Sequence, residues 1–303
     1  MLTVPRPNKQ YRGRFAPSPT GPLHMGSLIA ALASYLDARH HGGTWLVRME
    51  DLDPPREEPG ASDSILHSLR CHGLLWDEAV LYQSTRSITY AGALSMLAQA
   101  GQLFSCDCGR AILEADGACR GNCRARQRQL ADPRAIRIVV PPEYEVGFTD
   151  LLQGPQRIPL GQSLTDFVVR RKDGLFAYQL AVVVDDAAQG ITHVVRGSDL
   201  LDSTPRQIFL QQELAYITPR YCHLPVITTA HGQKFSKQNH APALQNDQPV
   251  MNLRCALRFL YQREPPAQLT DVEAVLAYAI ERWSLRQVPA AMALTAASIG
   301  LDG

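Results

Sequence analysis

The sequence predicts an α/β protein. A doubly wound, Rossmann-like parallel sheet is interrupted by a cysteine-bearing insertion and followed by a short C-terminal helical extension. Three observations carry this. Residues 12–50 read strand, loop, helix, strand, with a ligand-type loop at the C-terminal end of the first strand. Residues 101–140 break that rhythm with Cys, Gly and Arg. From Pro249 onward the apolar spacing is helical only. The expected organisation is therefore 1–100 for the first half of the sheet domain, 101–175 for the insertion, 176–240 for the second half and 241–303 for the extension.

Phe15 closes the first strand. From Pro19 to Gly26 two prolines and two glycines fill eight positions and leave no regular structure. Leu28, Ala31, Leu32, Tyr35 and Leu36 then fall at helical spacing. A small loop at a helix N-terminus seats anions on free backbone N–H groups and on the positive dipole end. His24 adds a side-chain donor there, and Gly26 leaves room for phosphates or a purine on bare backbone. The second strand is Thr44–Met49, and helices are expected at Ser62–Cys71 and Thr89–Ala100. Residues 141–175 carry short strands among Pro and Gly. Further strands are expected at Ala177–Val184, Ile191–Val195 and His223–Thr228, with a helix at Thr204–Tyr216 that has Pro205 in its first turn. A loop at Lys234–Gln238 places two lysines three apart, suited to holding a polyphosphate by point charge. In the extension Leu253, Leu257, Leu260 and Tyr261 mark one helical face; Val272, Val275, Leu276, Ala279 and Ile280 mark another.

Hydrophobic residues make up 45% and charged residues 19% of the 303, a soluble globular balance. The net charge of +1 means that any RNA contact must come from a local patch. No apolar run reaches the ~18 residues that a membrane helix needs, and Met1–Tyr11 lacks a signal-peptide core, so a cytoplasmic protein is expected. In that compartment seven cysteines favour thiols or metal over disulfides. Cys106, Cys108, Cys119 and Cys123 form C-x-C-x10-C-x3-C, a spacing that suits one structural, tetrahedral Zn²⁺, with free thiols as the plainer alternative. Residues 120–137 hold six arginines (120, 124, 126, 128, 134, 137) against Asp132. They suggest a basic strip for RNA phosphates, led by Arg120, Arg124, Arg126 and Arg128, or else a solvated arginine face.

Glu50-Asp51-Leu52-Asp53 ends the second strand beside the first loop. Acidic groups there would repel phosphates unless they serve a cation such as an amino acid's ammonium; a solvated acidic loop is the alternative. Arg14 and Arg196 stand at strand ends, where a guanidinium fork suits a carboxylate.

The string RFAPSPTGPLHMGSL at Arg14–Leu28 resembles the "HIGH" region of class I aminoacyl-tRNA synthetases, with His24–Ser27 as the motif itself; Lys234–Gln238 is similar to "KMSKS". The longer string, the (I/M)ED-x-D match at Glu50 and the RGSDL match at Arg196 resemble the glutamyl branch. The resemblance covers roughly residues 12–240 and implies a class I synthetase fold. It implies ATP, with Mg²⁺, bound by His24, Gly26, Ser27, Lys234 and Lys237, of which His24, Gly26, Lys234 and Lys237 are the catalytic set. It implies a glutamate pocket of Arg14, Ala16, Ser18, Glu50, Tyr178 and Arg196, with Glu50 on the α-amino group and Arg14 expected on the side-chain carboxylate. Ordinary glutamyl enzymes continue into a helical anticodon-binding domain, whereas about 65 residues follow Gln238 here. The closer likeness is to the short glutamyl-queuosine tRNA(Asp) synthetases, which carry a cysteine site in this insertion. That likeness implies a monomer that activates L-glutamate with ATP and transfers it to queuosine in the anticodon loop of tRNA(Asp). The alternatives are a truncated ordinary glutamyl-tRNA synthetase and a non-catalytic RNA-binding relative.

Overall fold

A computed structural model describes residues 10–109, 113, 118–119, 123–125, 134–163, 166–229 and 242–296. The first half runs β1 (Arg12–Phe15), α1 (Met25–His40), β2 (Thr44–Met49), α2 (Ala61–Cys71), β3 (Leu81–Tyr82) and α3 (Ser87–Gln99). The insertion holds β4 (Leu103–Cys106), β5 (Ala135–Ile138), β6 (Val146–Asp150), β7 (Gly154–Ile158), α4 (Leu160–Ser163) and β8 (Val168–Arg170). The second half follows as α5 (Tyr178–Ala188), β9 (His193–Gly197), α6 (Thr204–Glu213), β10 (Arg220–Leu224) and β11 (Val226–Thr228). The chain closes with α7 (Pro249–Phe259), α8 (Val272–Arg282) and β12 (Ala293–Thr295).

Parallel pairs β1–β2, β2–β3 and β9–β10 build the sheet in two pieces. The pieces meet at β1 and β9, where the Thr192 N–H donates to the Arg12 carbonyl at 2.9 Å. Strand order is thus β3-β2-β1-β9-β10, and the chain crosses from one half to the other at the β1/β9 junction. Ligands of doubly wound sheets bind at such a crevice. The insertion is antiparallel instead: β4-β5-β8 form one sheet and β6–β7 a hairpin.

Helices cover the sheet through two apolar clusters. In the first, Leu28, Leu32 and Leu36 of α1 pack with Leu253 and Leu257 of α7 and Val275 of α8. Most of α1 is buried, as expected for a helix that is apolar nearly all round. In the second, Tyr90 and Leu97 of α3 meet Val182 and Val183 of α5 and Phe209 of α6. Each such side chain contributes about 1.5–3 kcal/mol by leaving water. No helix among the described residues is long and apolar enough to cross a membrane.

Four expectations are corrected. Ala177–Val184 is not a strand: Tyr178–Ala188 is helix α5. A short apolar run does not distinguish a strand from a buried helix by periodicity. The stop signal lies just beyond it, at Gly190 with φ 64°, where the Ile191 N–H turns back to the Asp186 carbonyl. The single strand expected at His223–Thr228 is two, divided at Pro225, which has no N–H to give a ladder. The C-terminal region is not helical only, because β12 pairs with β11 in parallel. Tyr261 lies past the end of α7 with φ 53° and is exposed, so it leaves the apolar face that Leu253, Leu257 and Leu260 do form.

Candidate active site

The loop after β1 opens into a cleft of about 910 Å³ at the β1/β9 junction. Arg14, Ala16, Ser18, His24, Gly26, Ser27, Glu50, Tyr178 and Arg196 all line it, although they come from five separate segments. His24 is the N-cap of α1, with extended backbone, and its Nδ1 accepts the Ser27 N–H at 3.3 Å. In the neutral ring that leaves the proton on Nε2. A Cβ on Gly26 would come within 3.1 Å of the His24 ring and 3.2 Å of Ile227, so a side chain there would crowd the helix entrance. The wall opposite a bare helix N-terminus is thus fixed by β11.

Charge is arranged in a buried chain across the cleft floor. Asp186 of α5 accepts from Arg14 Nε at 3.2 Å and from Arg48 Nη1 at 2.8 Å. Arg48 Nη2 reaches Glu50 at 3.4 Å, and Arg48 Nη1 also donates to Gln189 at 2.9 Å. Burial alone would raise the Asp186 carboxyl, but Arg14 and Arg48 together hold it below the usual carboxylate range. Glu50 goes the other way: burial pushes it above its ordinary value, and Arg48 and Arg14 only partly offset that. Burial also raises the Tyr178 phenol at the start of α5, keeping it a neutral donor. Glu50 therefore has one long contact with a cation, Arg48 at 3.4 Å, whereas Asp186 has closer contacts with two.

Arg196 is framed differently. Its Nε donates to His223 Nε2 at 3.0 Å and its Nη2 to Thr204 Oγ1 at 2.8 Å. Its Nη1 is buried without a hydrogen-bond partner among the described residues. Neither Arg48, Asp186, His223 nor Asp150 was singled out from sequence. Arg48 did carry a signal, as a lone charge inside the apolar strand TWLVRM. Asp185-Asp186 follows directly on Ala177–Val184, and reading that segment as a strand cut it off from the helix that carries it.

In the insertion the four sulfurs of Cys106, Cys108, Cys119 and Cys123 lie within 4.8 Å of one another. Three separations are 3.4, 3.5 and 3.7 Å. A tetrahedron with Zn–S bonds of about 2.3 Å has edges of about 3.8 Å, so the cluster fits a zinc site. Burial and the neighbouring thiols push the Cys108 thiol up to about 12. Of the expected basic strip, Arg124, Arg134 and Arg137 fall among the described residues. Arg137 is a buried residue of β5 whose Nη1 donates to the Asp166 carbonyl at 2.6 Å. Arg124 is exposed. Arg120, Arg126 and Arg128, like Lys234 and Lys237, lie outside the described residues.

A helix entrance facing a buried carboxylate and two arginines in one crevice fits a class I aminoacyl-tRNA synthetase. The family described as "tRNA synthetases class I (E and Q), catalytic domain" matches residues 10–259. A protein of Xanthomonas campestris pv. campestris named "Glutamyl-Q tRNA(Asp) synthetase" is 52% identical over 95% of this chain and 96% of its own. One of Pseudomonas aeruginosa with the same name is 51% identical over 92% and 95%. The glutamate-tRNA synthetase structure from Elizabethkingia anophelis superposes with a TM-score of 0.80 at 25% identity, covering 96% of this chain and 69% of that one. The chain belongs to the glutamyl-Q tRNA(Asp) synthetase family of class I synthetases.

Proposed function

We propose that this chain activates L-glutamate with ATP and transfers it to queuosine in the anticodon loop of tRNA(Asp), acting as a monomer. The observation that carries the reading is the joint placement of Glu50, Arg14 and Arg196 on one cleft with the His24–Ser27 helix entrance. An amino acid with two carboxylates and one ammonium matches that charge set; ATP phosphates match the helix end. Relatives that share half of this sequence over nearly its whole length carry the corresponding name.

Glu50 takes the α-ammonium. Arg14 already gives Nε and Nη2 to Asp186, so the unpartnered Nη1 of Arg196 takes the principal contact with the side-chain carboxylate, with Arg14 beside it. The α-carboxylate oxygen then attacks the α-phosphorus of ATP, and pyrophosphate leaves. His24 and the α1 N-terminus stabilise the charge that grows on the phosphates, as do Lys234 and Lys237 of the second motif. Part of the phosphate charge would be neutralised by Mg²⁺ bound with ATP. A queuosine hydroxyl next attacks the carbonyl carbon of the adenylate; an ester forms and AMP leaves.

Activation is expected without RNA. ATP–pyrophosphate exchange supported by glutamate alone checks this, and exchange that appears only when tRNA is added would contradict it. Glutamine should support far less exchange, because its amide loses the charge-assisted bond and leaves an arginine poorly matched.

The four-cysteine cluster takes one structural Zn²⁺ per chain. Cys119→Ser should lose most of the metal, as read by elemental analysis, while Cys71→Ser should keep one equivalent. Undiminished zinc in Cys119→Ser would exclude this ligand set.

A further inference from the structure

Two buried residues outside the cleft, Asp150 and His223, lie in line behind Arg196. Neither Asp150 nor His223 lines the cleft, and both side chains are fully buried. Asp150 ends β6 in the insertion. Its Oδ1 accepts three backbone N–H groups, from Leu152 at 3.0 Å, Gln153 at 2.9 Å and His223 at 3.1 Å. Its Oδ2 faces His223 Nδ1 at 2.6 Å. A carboxylate so occupied is ionised and cannot rotate, so the Nδ1 proton of His223 belongs to this bond. Burial keeps the imidazole below its ordinary value despite Asp150, so the ring is neutral and Nε2 carries a lone pair. That lone pair accepts Arg196 Nε at 3.0 Å, and Thr204 Oγ1 also lies 3.0 Å from Nε2. Thr204 Oγ1 and the Leu200 carbonyl hold Nη2, and the Tyr221 ring lies 5.3 Å from the guanidinium carbon. Every nitrogen of Arg196 but Nη1 is thereby fixed.

We infer that Asp150 and His223 are positioning residues: Asp150 selects the His223 tautomer, His223 orients Arg196, and Arg196 presents Nη1 to the substrate's side-chain carboxylate. This rests on the reading above that Arg196 meets glutamate. The insertion thus contributes to amino-acid selection through a residue that never touches the amino acid.

Asp150→Asn tests it with little change of shape. An amide can still accept the backbone N–H groups through its oxygen, but its NH₂ then faces Nδ1. The ring proton moves to Nε2, and two donors confront each other at Arg196. The expected result in glutamate-dependent ATP–pyrophosphate exchange is a KM for glutamate raised by roughly tenfold or more, the scale of one misaligned charge-assisted hydrogen bond. The KM for ATP should stay put, and glutamate-over-glutamine preference should fall. A mere loss of folded enzyme lowers apparent kcat and leaves KM alone, so the split separates positioning from stability. In an Arg196→Ala background Asp150→Asn should add nothing, because both act through one guanidinium. If Arg196→Ala raises the glutamate KM but Asp150→Asn does not, or if the two effects multiply, the relay is wrong and the pocket reading stands. If Arg196→Ala itself leaves the glutamate KM at the wild-type value, the pocket assignment falls and the relay with it.

Discussion

Asp186→Asn should lower the unfolding free energy by about 3–5 kcal/mol, the cost of breaking a buried ion pair from one side. The substitution changes one oxygen to nitrogen, so packing is not the cause. Asp186 is the shared counter-charge of Arg14 and Arg48, which are both buried. Without it two guanidiniums remain in one dry site, with Glu50 as the nearest acid, 3.4 Å from Arg48. Urea denaturation measures the loss, and a change below about 1 kcal/mol would show that the network is not coupled as drawn. The pH dependence has a definite sign. The Asp186 carboxyl is held below its ordinary value of 3.8, so its contribution is present above that value and lost as pH falls through the folded-state value. Wild type should therefore lose stability below about pH 4 more steeply than Asp186→Asn.

Glu50→Gln should remove glutamate activation almost entirely. Truncating one side of a buried charge pair costs about 2–5 kcal/mol, or roughly thirtyfold to several thousandfold in kcat/KM for glutamate. The pair here is Glu50 with the amino acid's ammonium. Burial holds the Glu50 carboxyl above its ordinary value of 4.5, and a bound ammonium favours its ionised form, so glutamate binding and deprotonation of Glu50 are linked. Glutamate affinity should rise as pH climbs from that value through the raised one, and Glu50→Gln should flatten the rise. Isothermal titration with glutamate at several pH values reads both effects; a wild-type affinity independent of pH in this window would remove Glu50 from the ammonium contact.

The first half of the sheet was legible because its signals are local. Pro and Gly punctuate the loop, apolar spacing marks α1, and TWLVRM reads as a strand; the observed β2 has the same bounds, Thr44–Met49. The cysteine cluster was legible for the same reason, since four ligands with two short spacings need little of the fold to meet. The second half was less so. Leu180–Val184 is apolar on every side because α5 is buried, which erases the periodicity that tells helix from strand. That misreading hid Asp186, the hub of the cleft floor. β12 escaped notice because three residues, Ala293–Thr295, carry no pattern of their own and form a strand only against β11. Asp150 and His223 are far apart in sequence, and only the fold brings them together behind Arg196. Residues that line the cleft were readable from motifs; the buried residues behind them were not.

The central claim concerns where glutamate goes. The protein is incubated with radiolabelled glutamate, ATP and tRNA from cells with and without queuosine. The labelled tRNA is cut with ribonuclease T1, and the fragment that carries label is identified. Label confined to the anticodon fragment of tRNA(Asp), and absent when queuosine is absent, is the expected result. Label on the 3′-terminal adenosine, or equal labelling of tRNA that lacks queuosine, would contradict it and identify an ordinary glutamyl-tRNA synthetase.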